Sequence, residues 1–280
     1  MKRRIKSYFN HPLSGILMLL VMLATLITFV VLAFLIIYII VKGVGYITPD
    51  LFSWEYNTEN VSLLPALINT VIMTAVSLLI AAPLGIFAAI FLVEYSSSGS
   101  RLVKVIRITA ETLSGIPSIV YGLFGLLFFV TTLKWGLSML AGALTLVIMI
   151  LPLIMRTAEE ALKAVPKTYR EASFGLGAGK LRTVFKIVLP SAVPGILAGV
   201  ILAVGRVVGE TAALLYTAGS VAQVPDNLMG SGRTLAVHMY VLSSEGLYMD
   251  QAYATAVILL LLVLGINWLS GFIAKRITKG

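Results

Sequence analysis

Apolar residues dominate this chain in long unbroken runs, at 16–40, 66–93, 113–133, 137–155, 195–215 and 252–274. Each approaches or exceeds the roughly 20 helical residues that cross a hydrocarbon core of about 30 Å. Runs of this length, without the alternation of a half-buried strand, predict helices. The chain is therefore expected to be an all-α integral membrane protein with six transmembrane helices. The first run is too long for the apolar core of a cleaved leader, and no small-residue cleavage site ends it, so it is expected to remain as a span.

Composition agrees with that reading and narrows it. With 59% hydrophobic and 12% charged residues and a mean hydropathy of +1.01, the chain has more apolar surface than a soluble core can use. It contains no cysteine, which excludes disulfides and thiolate metal sites. The net charge of +9 sorts by side. Seventeen of the 21 basic residues fall in the N-terminal tail (Lys2, Arg3, Arg4, Lys6), the connection with Arg101, Lys104 and Arg107, the loop 156–186, and the C-terminus (Lys275, Arg276, Lys279). Lys42, Lys134 and Arg233 lie on the opposite side. The positive-inside rule makes both termini cytoplasmic and assigns the surplus charge to topology, so nucleic acid is not expected as a partner. The outer connections carry Asp50, Glu55, Glu59, Asp226, Glu245 and Asp250. That mildly acidic face fits either topology bias or a docking surface for an extracytoplasmic partner.

Two connections exceed ordinary loop length and are expected to be structured. The outer one, 218–251, places Leu235, His238, Met239 and Leu242 on one helical face and predicts a short interfacial helix, with 233–240 as a candidate contact for an outside partner. His238 reads as an interfacial polar group, since no second ligand stands at metal spacing beside it. In the cytoplasmic connection, 156–194, Pro166 opens a short helix, Gly175 and Gly177 can end it, and "KLRTVFKIV" forms a second helix ending at Pro190. "GLGAGKL" is not a nucleotide loop, because that would need Gly at Phe174 and Ser or Thr at Leu181. The chain divides into 1–60, with the tail, first span and outer loop, and 61–280, a core of five spans carrying the cytoplasmic loop. No catalytic residue, metal or cofactor is assigned, because no Ser/His or paired-carboxylate constellation faces one depth.

The fifth run contains "AVGRVVGET". Counted from Gly195, Arg206 lies about 17 Å along a helix, near the middle of the membrane. Glu210 is one turn further on the same face, so an i, i+4 pair is expected, turned toward the bundle interior or a water-filled path. Arg206 can then supply positive potential to a crossing anion while Glu210 orients it, or the two can pin neighbouring helices; the readings are compatible. Gly195, Gly199 and Ala203, and separately Gly205 and Gly209, form small-residue ridges that let helices approach. In "LSGIPSIVYG", Pro117 interrupts the backbone ladder and Ser114 and Ser118 offer hydroxyls. Either a proline kink or a broken helix lining a cavity accounts for it.

The string from Glu171 resembles the EAA loop of ABC importer permeases, E-A-A-x3-G-x9-I-x-L-P. Glu171, Ala172, Gly177, Ile187, Leu189 and Pro190 fall in register, with Ser173 in place of the second alanine. "PLGIFAAIFLVEY", "LSGIPSIVYGLFG", "YREASFGLGA" and "GRVVGETAALLYTAG" resemble the phosphate-permease branch of that family, of the compact PstA type rather than the PstC type. The resemblance covers about residues 60–275. It implies a type I ABC importer (MetI-like) permease fold and a subunit without ATPase activity of its own, in a multi-pass inner-membrane location. It also implies a PstC-like permease as heterodimer partner, a PstB-like ATPase dimer and a PstS-like phosphate-binding protein. The EAA residues, together with Arg170, would dock the ATPase. Arg206, Glu210, Ser114 and Ser118 would line the substrate path. A permease for molybdate or sulfate is the nearest alternative, and an ion-coupled secondary carrier a more distant one.

Overall fold

The computed structural model describes residues 12–96 and 99–279, with side chains described over 13–96 and 99–272. Lys2, Arg3, Arg4 and Lys6, on which part of the topology reading rests, lie outside the described residues, as do the side chains of Lys275, Arg276 and Lys279.

Regular structure among the described residues is entirely helical. α1 (Pro12–Gly43) is followed by two short 3-10 turns, then α2 (Leu64–Ile90), which continues through a π turn (Phe91–Tyr95). α3 (Arg101–Ser114) leads to α4 (Ser118–Gly125), itself extended by a π segment (Leu126–Thr132). α5 (Met139–Ala164) and α6 (Lys167–Gly175) come next. α7 (Lys180–Thr183) joins α8 (Leu189–Val208) through a π turn (Val184–Val188), and α9 (Ala212–Leu215), α10 (Leu235–Glu245) and α11 (Met249–Lys279) complete the chain.

α1, α2, α5, the continuous α7–α8 rod and α11 are long and apolar enough to cross a membrane; α3 and α4 together make the sixth candidate, bent by 102° at the break between them. The expected span at 113–133 is occupied by α4 and its π extension, and the basic connection before it is a helix of 14 residues. α3 turns away because Pro117 has no N–H to continue the ladder and takes an extended backbone, with ψ 142°.

α2, α5 and α8 pack side by side around Met73, Leu146, Ile150, Ala203 and Val207, while a second cluster built on Leu92, Val103, Leu162, Val184 and Val188 fills the end of the bundle near α6. Because lipid is as apolar as these side chains, close van der Waals fit rather than the hydrophobic effect holds such helices together. Gly199 supplies that fit: a Cβ there would overlap the Thr157 side chain of α5. The ridge of Gly195, Gly199 and Ala203 thus packs as expected, whereas Gly205 meets nothing within 4 Å. α1 is exposed along almost its whole length and is held at its C-terminal end, where Gly43 lies against the Tyr253 backbone of α11.

α10 differs from expectation. It packs against α11 and α2, and Leu235, Ala236, Val237, His238 and Leu242 are buried around its circumference. Its N-terminal half is internal while Tyr240, Ser243, Ser244 and Glu245 are exposed, so burial divides the helix along its length and the one-sided pattern of an interfacial helix does not apply.

All four ion pairs among the described residues lie at the α6 end of the molecule. Glu159, buried near the end of α5, takes both Arg107 of α3 and Lys163, each at 2.6 Å; Arg156 meets Glu160 at 3.4 Å on the surface; and Arg170 meets Glu94 at 2.6 Å.

Candidate substrate path and coupling surface

Arg206 sits in the last turn of α8, half-buried. The helix does not continue through the expected run to Leu215; it ends at Val208, with Gly209 as its C-cap. Glu210 consequently falls in the gap before α9, and no ion pair with Arg206 occurs among the described residues. The expected i, i+4 pair is corrected because its geometry needs a helix that Gly209 stops. Glu210 is 8% exposed, and its Oε1 accepts from the Ala213 N–H at 3.1 Å, satisfying a free donor at the start of α9.

Two helix breaks stand side by side. The first lies between α3 and α4, the second between α8 and α9. α4 and α9 pack so closely that a Cβ on Gly122 would lie 2.8 Å from Ala213 Cα. Tyr121 of α4 donates its hydroxyl to the Leu113 carbonyl at 2.7 Å, strapping the first break. Ser114 and Ser118 flank this break, both half-buried. The Ser114 hydroxyl bonds back to Ala110 O at 2.9 Å, within its own helix. The two serines therefore border the first break and Arg206 precedes the second, and such breaks are tolerated in membranes where they are enclosed by protein or line a cavity.

The candidate coupling surface is α6 with its flanking turns. Pro166 begins it, and Gly177 ends it in the left-handed region at φ +83°, donating to Phe174 O at 2.9 Å. Glu171 and Ala172 are exposed, and so are Tyr169, Phe174 and Leu176, the last at 89%. Ile187 and Leu189 are half-buried where the π turn meets α8, and Pro190 is exposed at its first turn. Arg170 differs from the rest. It points inward to Glu94, so it is not an outward contact. Ser173 is buried with its hydroxyl 2.8 Å from Thr183 Oγ1, linking α6 to α7.

A polar cluster near α10 was not foreseen. Arg233 is 4% exposed and stacks on Tyr56 at 4.7 Å, while His238, 1% exposed, meets the Tyr56 edge at 6.1 Å. Burial, helped by the Arg233 charge, holds the imidazole down to about 3, neutral at any ordinary pH. The expected outside contact at 233–240 is thus largely internal, with only Tyr240 well exposed. Glu94 was also missed as a site residue; the signal was a carboxylate ending an apolar run in "FLVEY".

Residues 81–279 match the family described as the binding-protein-dependent transport system inner membrane component. The chain belongs to that family. A Bacillus subtilis relative, a probable ABC transporter permease protein YqgI, is 36% identical over 268 residues, covering 86% of this chain and 89% of the relative. The phosphate transport system permease protein PstA of Mycobacterium leprae is 35% identical over 221 residues, covering 77% of this chain and 72% of that protein. Among solved structures, a bacterial alginate ABC transporter with its alginate-bound periplasmic protein superposes with a TM-score of 0.71, covering 99% of this chain and 98% of the other at 19% identity, which establishes the fold. This family member is an integral inner-membrane subunit of an ABC importer, working with a separate ATPase and a substrate-binding protein, and is itself not an enzyme. Family membership removes the secondary-carrier alternative.

Proposed function

We propose that this chain is the PstA-like permease subunit of an ATP-driven importer of inorganic phosphate, pairing with a PstC-like permease, a PstB-like ATPase dimer and a PstS-like phosphate-binding protein. Both termini and α6 face the cytoplasm in this reading, which the distribution of basic residues supports. The observation that carries the substrate reading is Arg206, a half-buried guanidinium with no ion pair among the described residues, next to the α8–α9 break. An uncompensated cation in a low-dielectric bundle favours a partly dehydrated anion. Glu210 acts by holding the start of α9, and the exposed face of α6 docks the ATPase.

The test is uptake of radiolabelled phosphate by vesicles carrying the complete complex, with sulfate and molybdate as competitors. Arg206→Gln is expected to assemble and hydrolyse ATP but to lose uptake by at least about a hundredfold, a barrier change of several kcal/mol. Glu210→Gln keeps an acceptor for Ala213 and is expected to retain most uptake. Near-normal uptake in assembled Arg206→Gln sinks the path role, and preferential competition by molybdate or sulfate transfers the assignment to another oxyanion.

A further inference from the structure

Arg170 is gripped from two neighbouring helix ends. Its Nε and Nη2 both donate to Glu94, which ends α2 in the π turn Phe91–Tyr95. Nη1 donates to Val165 O at 2.9 Å and Nη2 to Leu162 O at 3.0 Å. These are carbonyls at the C-terminus of α5 that have no helical partner of their own. The ends of α2 and α5 therefore meet α6 at one guanidinium. Charge-assisted, bidentate bonds of this kind are the stronger ones, and burial shields them from salt. The Ser173–Thr183 hydroxyl pair, by contrast, ties α6 only toward α7.

The consequence is mechanical. α2 and α5 form the packed centre of the bundle with α8, which carries Arg206 in its last turn. While the Arg170 bonds hold, a displacement of α6 drags the end of α2 with it; without them α6 can rock on the Val165–Pro166 connection and on α7 while α2 stays in place. We propose that the Glu94–Arg170 pair is the joint that carries movement of α6 into the core helices, making both residues positioning residues of the coupling step. This inference rests on α6 being the ATPase-docking helix.

The experiment uses vesicles with the complete complex and reads ATP hydrolysed per inorganic phosphate imported. The double variant Glu94→Gln/Arg170→Met leaves no unpaired buried charge. Arg170→Lys keeps the charge but cannot reach Glu94 and both carbonyls together. Both variants are expected to co-purify with the ATPase and to hydrolyse ATP within about twofold of wild type, while the ATP-to-phosphate ratio rises about tenfold, the size of a lost coupling energy of this kind. In Glu94→Cys/Arg170→Cys, whose thiols are the only ones in the subunit, a short bifunctional thiol linker is expected to bring the ratio back. This variant decides alone if the neutral pair fails to assemble. A wild-type ratio in the assembled double variant overturns the proposal, as does a verified linked form that stays uncoupled. Failure of the docking reading has a different signature: Leu176→Cys in an otherwise wild-type subunit would not cross-link to the ATPase.

Discussion

Ser173 stands where the loop motif has its second alanine, and its hydroxyl meets Thr183 inside the protein. Ser173→Ala removes one buried hydrogen bond but leaves Thr183 bonded to Gly179 O. It is therefore expected to lower stability by about 1 kcal/mol, seen as a small drop in unfolding temperature in detergent with transport retained. His238 gives a pH dependence. Its folded pKa, about 3, lies below the ordinary 6.5. Below pH 6.5 the unfolded chain therefore binds a proton that the folded chain refuses. Stability is unaffected above that pH and falls toward pH 3 at up to about 1.4 kcal/mol per unit. His238→Leu is expected to flatten that acid limb in pH-dependent unfolding; an unchanged limb refutes the assignment. Arg206 could be found in the sequence because a full charge in an apolar run is costly and so conspicuous. The inward turn of Arg170 could not, since its partner is 76 residues away.

Helices were legible as elements, but their breaks were only partly so. Pro117 announced the discontinuity after α3, whereas its 102° bend depends on how α3 lies against α5 through Arg107 and Glu159. The stop after Val208 was hidden, because Gly209 reads equally as part of a small-residue ridge. The same ambiguity in α10 came from apolar residues on every face, which give no direction for burial. At this scale Gly122→Val is expected to force α4 from α9, since the nearest atom is backbone and cannot rotate away. Overpacking of this sort costs about 1–3 kcal/mol and is read from thermal unfolding together with loss of uptake. Gly177 has open space around it but sits at φ +83°. Gly177→Trp should accordingly strain the end of α6, leaving membrane insertion intact while reducing co-purification of the ATPase or uncoupling hydrolysis from uptake; normal values for both refute the docking role of this turn.

Over the whole molecule, the absence of cysteine makes sidedness directly measurable. Single replacements Leu176→Cys and Trp54→Cys, both at exposed positions, are expected to react with a membrane-impermeant thiol reagent from opposite faces, Leu176→Cys only from the cytoplasm. Labelling of both from one side would overturn the topology. The broad division into spans and connections was legible because membrane insertion depends on bulk hydropathy, a property that needs no tertiary structure. The four ion pairs gathered at the α6 end have a consequence for how such a complex responds to its surroundings. In a sealed vesicle the two aqueous compartments can be given different electrolytes, and only one of them bathes the charged fastenings of this subunit. Ionic strength thereby becomes a sided variable: concentrated salt in the compartment facing α6 loosens the exposed Arg156–Glu160 contact and the outer parts of its neighbours, while the same salt on the other face finds no such ion pair among the described residues to screen.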